Sequence, residues 1–118
     1  MRTWFIALFL VLVLAVAGQA LAAEKSILFV NGANVDIKGI HLAPAGTTQW
    51  GPNLLTKWKL RDGRKIKIAV PHDQGDCQFD LKYVGPRKMA YIISGIDICK
   101  AVEIDLFLKG DQAWANVK

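Results

Sequence analysis

The chain reads as all-β: a small two-sheet sandwich of the Ig-like or Greek-key kind, about seven strands, one disulfide, preceded by a cleavable signal peptide. Three observations predict this. Beyond residue 23 no apolar set recurs at the i, i+3, i+4 spacing of a helix. The apolar residues come instead in short runs or in alternation, cut by Gly, Pro, Asn and Asp. Both cysteines, Cys77 and Cys99, follow an export-type leader, where an even count predicts a bridge.

The leader has the layout of a secretory signal. Arg2 supplies a short positive start, residues 4–17 are apolar, and Gly18-Gln19 interrupts the run before Ala20-Leu21-Ala22. Cleavage after Ala22 divides the chain into residues 1–22 as signal peptide and 23–118 as one domain. The uninterrupted apolar stretch falls short of the ~18 residues that mark a membrane-spanning helix. The expected location is therefore periplasmic or secreted, with no transmembrane anchor after processing. A total of 118 residues excludes large multi-domain enzymes, and the net charge of +5 favours acidic partners.

Residues 26–30 form the first expected strand, ended by Asn31-Gly32, a pair suited to a tight turn. Residues 35–43 form the second. Val35 and Ile37 share one parity there, Ile40 and Leu42 the other, so a bulge is expected at Gly39. Residues 43–53, with Pro44, Gly46, Gly51 and Pro52, read as a loop carrying Trp50. Residues 54–60 and 66–70, joined by Asp62-Gly63, read as a hairpin. Cys77, Phe79, Leu81 and Tyr83 alternate with Gln78, Asp80 and Lys82, the pattern of a half-buried strand. Residues 89–95 and 102–108 complete the set, leaving residues 110–118 as a tail. A small closed barrel is the alternative architecture. A Cys77–Cys99 bridge closes a loop of about 22 residues, worth roughly 3 kcal/mol.

The chemistry-bearing residues are few. Lys57, Lys59, Arg61, Arg64, Lys65 and Lys67 crowd the expected hairpin, with Asp62 as the local counter-charge and Trp58 among them. Strand alternation would gather them on one cationic face, fit for an anionic glycan, a lipid headgroup or an acidic protein. Lysines on outer strands also deter edge pairing, which is the plainer role. Trp50 is a second candidate contact, on a loop. His72, Asp73 and Asp76 cluster, yet fall short of the donor count of a zinc or EF-hand site, and His41 joins them only through folding. No metal ligand, cofactor or catalytic residue is assigned, since no nucleophile stands in a recognisable frame.

Several short motifs occur in a telling order: Val30-Asn31-Gly32, Ile40-His41-Leu42-Ala43-Pro44, Trp50-Gly51-Pro52-Asn53-Leu54-Leu55, Cys77-Gln78-Phe79-Asp80-Leu81 and Asp97-Ile98-Cys99. In that order they resemble a family of small bacterial exported β-sandwich proteins with W-G-x-[DN]-L-L, C-x-[YF]-D-L and [DN]-[LI]-C motifs and no assigned activity. The likeness covers about residues 27–106. It implies export, the sandwich and the disulfide, and is silent on function. The cationic run departs from the family pattern, which is less charged between Leu55 and Val70. Asp80 is expected to point away from the core and accept from loop N–H groups.

The expectation is thus a non-enzymatic exported binding module, monomeric or weakly dimeric, that uses its basic hairpin. The alternative is a structural or accessory envelope protein that associates through a sheet edge, sensitive to proline at Ile68 or Ile104. A small hydrolase depending on His41 or His72 is the remote one.

Overall fold

The computed structural model describes residues 23–72 and 75–118. The expected signal peptide lies outside the described residues, as do Asp73 and Gln74. Among the described residues, seven strands form two sheets. They are β1 (Ala23–Gly32), β2 (Gly39–Pro44), β3 (Lys65–His72), β4 (Gln78–Val84), β5 (Ala90–Asp97), β6 (Glu103–Lys109) and β7 (Gln112–Val117). One sheet runs β3-β1-β6-β7 and the other β2-β4-β5. β1 is antiparallel to β3 and parallel to β6; the remaining pairs are antiparallel.

Strand alternation places a single core between the sheets. Ile27 and Phe29 of β1, Ile68 and Val70 of β3, and Ile104 and Leu106 of β6 meet Ile40 of β2, Leu81 and Tyr83 of β4, and Ile96 of β5. Each apolar side chain removed from water contributes about 1.5–3 kcal/mol, which is the main force joining the layers. The Tyr83 hydroxyl crosses the core and donates to the Phe107 carbonyl at 2.8 Å. Cys77 and Cys99 are bridged, as expected. The link joins the start of β4 to the end of β5, neighbours in one sheet, where the Ile98 N–H also donates to the Cys77 carbonyl at 2.8 Å.

Three elements depart from the sequence reading. First, β1 does not turn back at Asn31-Gly32. Asn31 is fully buried, and the chain bends beyond it, with Asn34 at φ 63°, before crossing to the other sheet. The face change expected as a bulge at Gly39 is instead the start of β2, and Ile37 makes a lone bridge to Leu60. Second, residues 54–60 form no strand and no hairpin with β3. β3 pairs with β1, because Ile68 and Val70 continue the inward row of Ile27 and Phe29. Residues 51–54 run along the outer edge of β2: Gly51 N–H donates to Leu42 O at 2.9 Å and Leu54 N–H to Ile40 O at 2.8 Å. Third, the tail is β7. Gly110, at φ 65°, turns the chain, and residues 112–117 complete the sheet beside β6.

Asp80 takes the expected role. Its carboxylate accepts from Gly95 N–H at 3.2 Å and Gly46 N–H at 3.1 Å. Opposite it the register slips between Phe79 and Leu81, so that Ser94 and Gly95 face one residue. Gly95 sits at φ 74°, the left-handed geometry that makes this bulge a glycine position. Among the described residues no helix is long and apolar enough to cross a membrane.

Candidate functional site

The cationic segment is built on Asn31. An amide inside a core must satisfy its hydrogen-bonding groups, and this one does so by tying the chain just beyond β1 to the Leu60 segment. Its Nδ2 donates to Val35 O at 2.8 Å and Leu60 O at 2.9 Å, and its Oδ1 accepts from Ala33 N–H at 2.9 Å. Its backbone N–H donates to Arg64 O, and its carbonyl accepts from Gly63 N–H. The segment from Leu60 to Arg64 is therefore fixed to the end of β1. Gly63, at φ 78°, shapes a turn closed by Arg64 N–H donating to Arg61 O.

Upstream, the chain is pinned at Leu54 to Ile40 and at Leu60 to Ile37. The intervening residues exceed what is needed to span the short stretch between Ile40 and Ile37. Among them Leu55 is buried in the core, whereas the bend at Lys57 and Trp58 leaves the Trp58 side chain 89% exposed.

The candidate cations thus occupy separate settings rather than one strand face. Lys57 and Trp58 lie on the bend, and Arg61 and Arg64 flank the turn. Lys59 is neutralised by Asp36 at 3.3 Å. The Asp36 carboxyl is held below its usual range, chiefly by the Asp62 N–H and then by Lys59 and Arg61, against the opposing effect of burial. Lys65 and Lys67 are exposed on β3, on the outward face of the four-stranded sheet. The expected single face with Lys57, Lys59 and Arg61 in alternation is corrected accordingly, because residues 57 and 58 form a bend and Lys59 lies outside any strand.

Trp50 is half-buried and engaged: the Lys82 ammonium lies 4.8 Å from its ring centroid. Beside Lys82 in the β2–β4 pair, the His41 Nδ1–H donates to Gly51 O at 2.9 Å. A carbonyl only accepts, so this contact fixes the tautomer and gives His41 a structural task. Asn53 Oδ1 accepts from Ile40 N–H and from Leu55 N–H, both at 3.0 Å. The Trp50–Leu55 motif thereby covers the edge of β2. A half-open cavity of about 120 Å³ beside it is lined by Leu42, Leu54, Val70 and Phe79 with Pro52 and Pro71. That is well under the ~300 Å³ at which ligand pockets begin.

Cys77, Cys99 and Asp97 bring potential ligand atoms within 4.8 Å of one another. The sulfurs are joined to each other, and Asp97 Oδ1 accepts from Cys99 N–H at 3.0 Å and Lys100 N–H at 3.3 Å, so the carboxylate serves the turn. Of the other cluster, Asp73 and the His72 side chain lie outside the described residues, and Asp76 is exposed.

Sequence reasoning missed Asn31 as a buried hub and Asp36 as the partner of Lys59. For Asn31 the signal was present: a polar residue holding the inward parity of Ile27 and Phe29. Asp36 carried none, because its pairing depends on the lone bridge between Ile37 and Leu60.

No family model and no curated protein matches the chain. A solved structure similar to it is the NMR structure of a protein from Eubacterium rectale, 13% identical, with a TM-score of 0.49, over 80% of this chain and 87% of that one.

Proposed function

We propose that this chain is an exported, non-catalytic binding module that attaches to an anionic envelope component through the Lys57–Trp58 bend and the Arg61–Arg64 turn. The observation that carries this reading is Trp58, held 89% exposed at a bend whose two flanks are hydrogen-bonded to the fold. A large apolar ring kept in water forgoes several kcal/mol of burial, on the order of 150–250 Å² at ~25 cal/mol per Å². Along the same segment, Lys57, Arg61 and Arg64 have no ion-pair partner among the described residues. An amphipathic ring on a segment whose cations are not tied up in ion pairs suits a surface that offers phosphate, sulfate or carboxylate groups. Export rests on the leader and on the disulfide, which persists in oxidising compartments.

Retention on a sulfated-glycan resin tests the reading. Binding is expected to fall steeply between low and moderate salt, within the range where a Debye length shrinks to about 10 Å. Lys57→Glu with Arg61→Glu should abolish it, and Trp58→Ala should weaken it with little change in the salt slope. Retention that ignores salt and survives both changes overturns the proposal.

Less supports association through a sheet edge. β2 is covered by residues 51–54, and β3 carries Lys65, Lys67 and Pro71, which discourage pairing. Ile104 lies on β6, between β1 and β7, so proline there would break the sheet rather than probe an edge.

A further inference from the structure

The outward face of the four-stranded sheet carries a pattern that the bend and turn do not use. Ile27 and Phe29 point into the core, so Leu28 and Val30 point away from it. Their cross-strand neighbours share that face. Leu28 stands between Lys67 on β3 and Glu103 on β6, and Val30 between Lys65 and Asp105. Both rows read cation, aliphatic, carboxylate. Beyond them Phe107 lies over Gly32, where an added Cβ would come 2.7 Å from its ring, and it stacks on Trp114 at 5.4 Å. Trp114 remains 44% exposed.

The charges on this face are unevenly matched. Glu103 and Asp105 share one ammonium, Lys118, at 3.2 and 3.3 Å. Lys65 and Lys67 have no ion-pair partner among the described residues. Across the apolar midline of β1, one side has Lys65 and Lys67, unpaired among the described residues, and the other has two carboxylates that share Lys118, with Lys109 farther along β6 on the same face.

We propose that this face binds a second copy of this chain, the two sheets packed face to face about a two-fold axis lying along β1. That rotation exchanges the two sides of the face and keeps each residue's position along the strand. Lys67 then meets the partner's Glu103, Lys65 meets the partner's Asp105, and Leu28 and Val30 meet their own counterparts. A closed two-fold interface requires such self-complementarity, and a uniformly acidic or basic partner would satisfy only half of the face. Face-to-face sheets cross at about 30°, so the central rows stay in register while Trp114 falls at the rim. The inference shares no residue with the anion-binding reading, and either stands if the other fails.

A charge swap tests it by sedimentation of the disulfide-bonded protein over a concentration series. The unmodified protein should dimerise, more weakly at high salt. Lys67→Glu alone and Glu103→Lys alone should each raise the dimer dissociation constant by about tenfold or more, since like charges then face each other twice. An equimolar mixture of the two variants should regain dimer, because every facing pair is again opposite in sign. A protein that stays monomeric, a dimer unchanged by either variant, or a mixture that fails to recover overturns the proposal. If a variant does not fold, the salt series on the unmodified protein decides: association that is absent or indifferent to salt overturns it.

Discussion

At the scale of single residues, two buried polar groups do most to fix the geometry. Tyr83 is sealed in the core, and burial, with a smaller contribution from Tyr91, pushes its phenol from 10.0 up to about 12. The folded state therefore holds this proton more tightly than the unfolded chain does. The stability so conferred is complete below pH 10 and is lost as pH rises towards about 12. Tyr83→Phe is expected to flatten this alkaline loss in a pH series of denaturant midpoints. At neutral pH it should cost about 1 kcal/mol through the bond to Phe107 O. Asn31→Leu should cost more, at least about 2 kcal/mol, because it strips partners from Val35 O, Leu60 O and Ala33 N–H together. A chemical-denaturation series measures that loss. The same variant should release the Leu60–Arg64 segment, seen as faster amide exchange at Gly63 and Arg64.

At the scale of elements, stability depends on how the two sheets end. The three-stranded sheet is stapled by Cys77–Cys99 at one end of the β4–β5 pair. Replacing both cysteines by alanine should cost roughly 3 kcal/mol, a fall in Tm of roughly 15 °C for a domain of this size, read by calorimetry. The outer edge of β2 is closed by a side chain acting as backbone, since Asn53 Oδ1 accepts the Ile40 N–H that a neighbouring strand would otherwise take. Asn53→Ala should expose that N–H, cost about 1 kcal/mol and raise hydrogen exchange at Ile40 while β4 stays protected. The bend at Trp58 exists for a related reason. The Leu54–Ile40 and Leu60–Ile37 contacts set its ends, and between them Leu55 enters the core while Trp58 is left outside.

At the scale of the whole molecule, the cations divide between two surfaces. Lys57 lies beside the exposed Trp58 on a bend and Arg61 and Arg64 flank the turn that follows it, whereas Lys65 and Lys67 belong to a sheet face whose other side carries Glu103 and Asp105. Charge reversal at Lys65 and Lys67 is accordingly expected to alter self-association while leaving most retention on a sulfated resin, and reversal at Lys57 and Arg61 to do the opposite. Parallel measurements on the two double variants check that separation.

The strand class, most strand positions, the disulfide pair and the task of Asp80 were legible in the sequence, because each follows from local alternation, turn residues or cysteine count. Alternation in Cys77 to Tyr83 yields β4 whatever surrounds it. The partners of the strands were not legible. Residues 54–60 carry leucines enough for a strand, yet their backbone groups were claimed by β2 and by Asn31, while β3 was drawn to β1 by matching inward rows. The C-terminal residues form β7 along β6, a partner that lies outside the tail's own sequence. Parity along a chain sets which side chains share a face. Which face that becomes, and which charges meet across it, depends on hydrogen-bonded neighbours far away in sequence, and only the tertiary structure decides those.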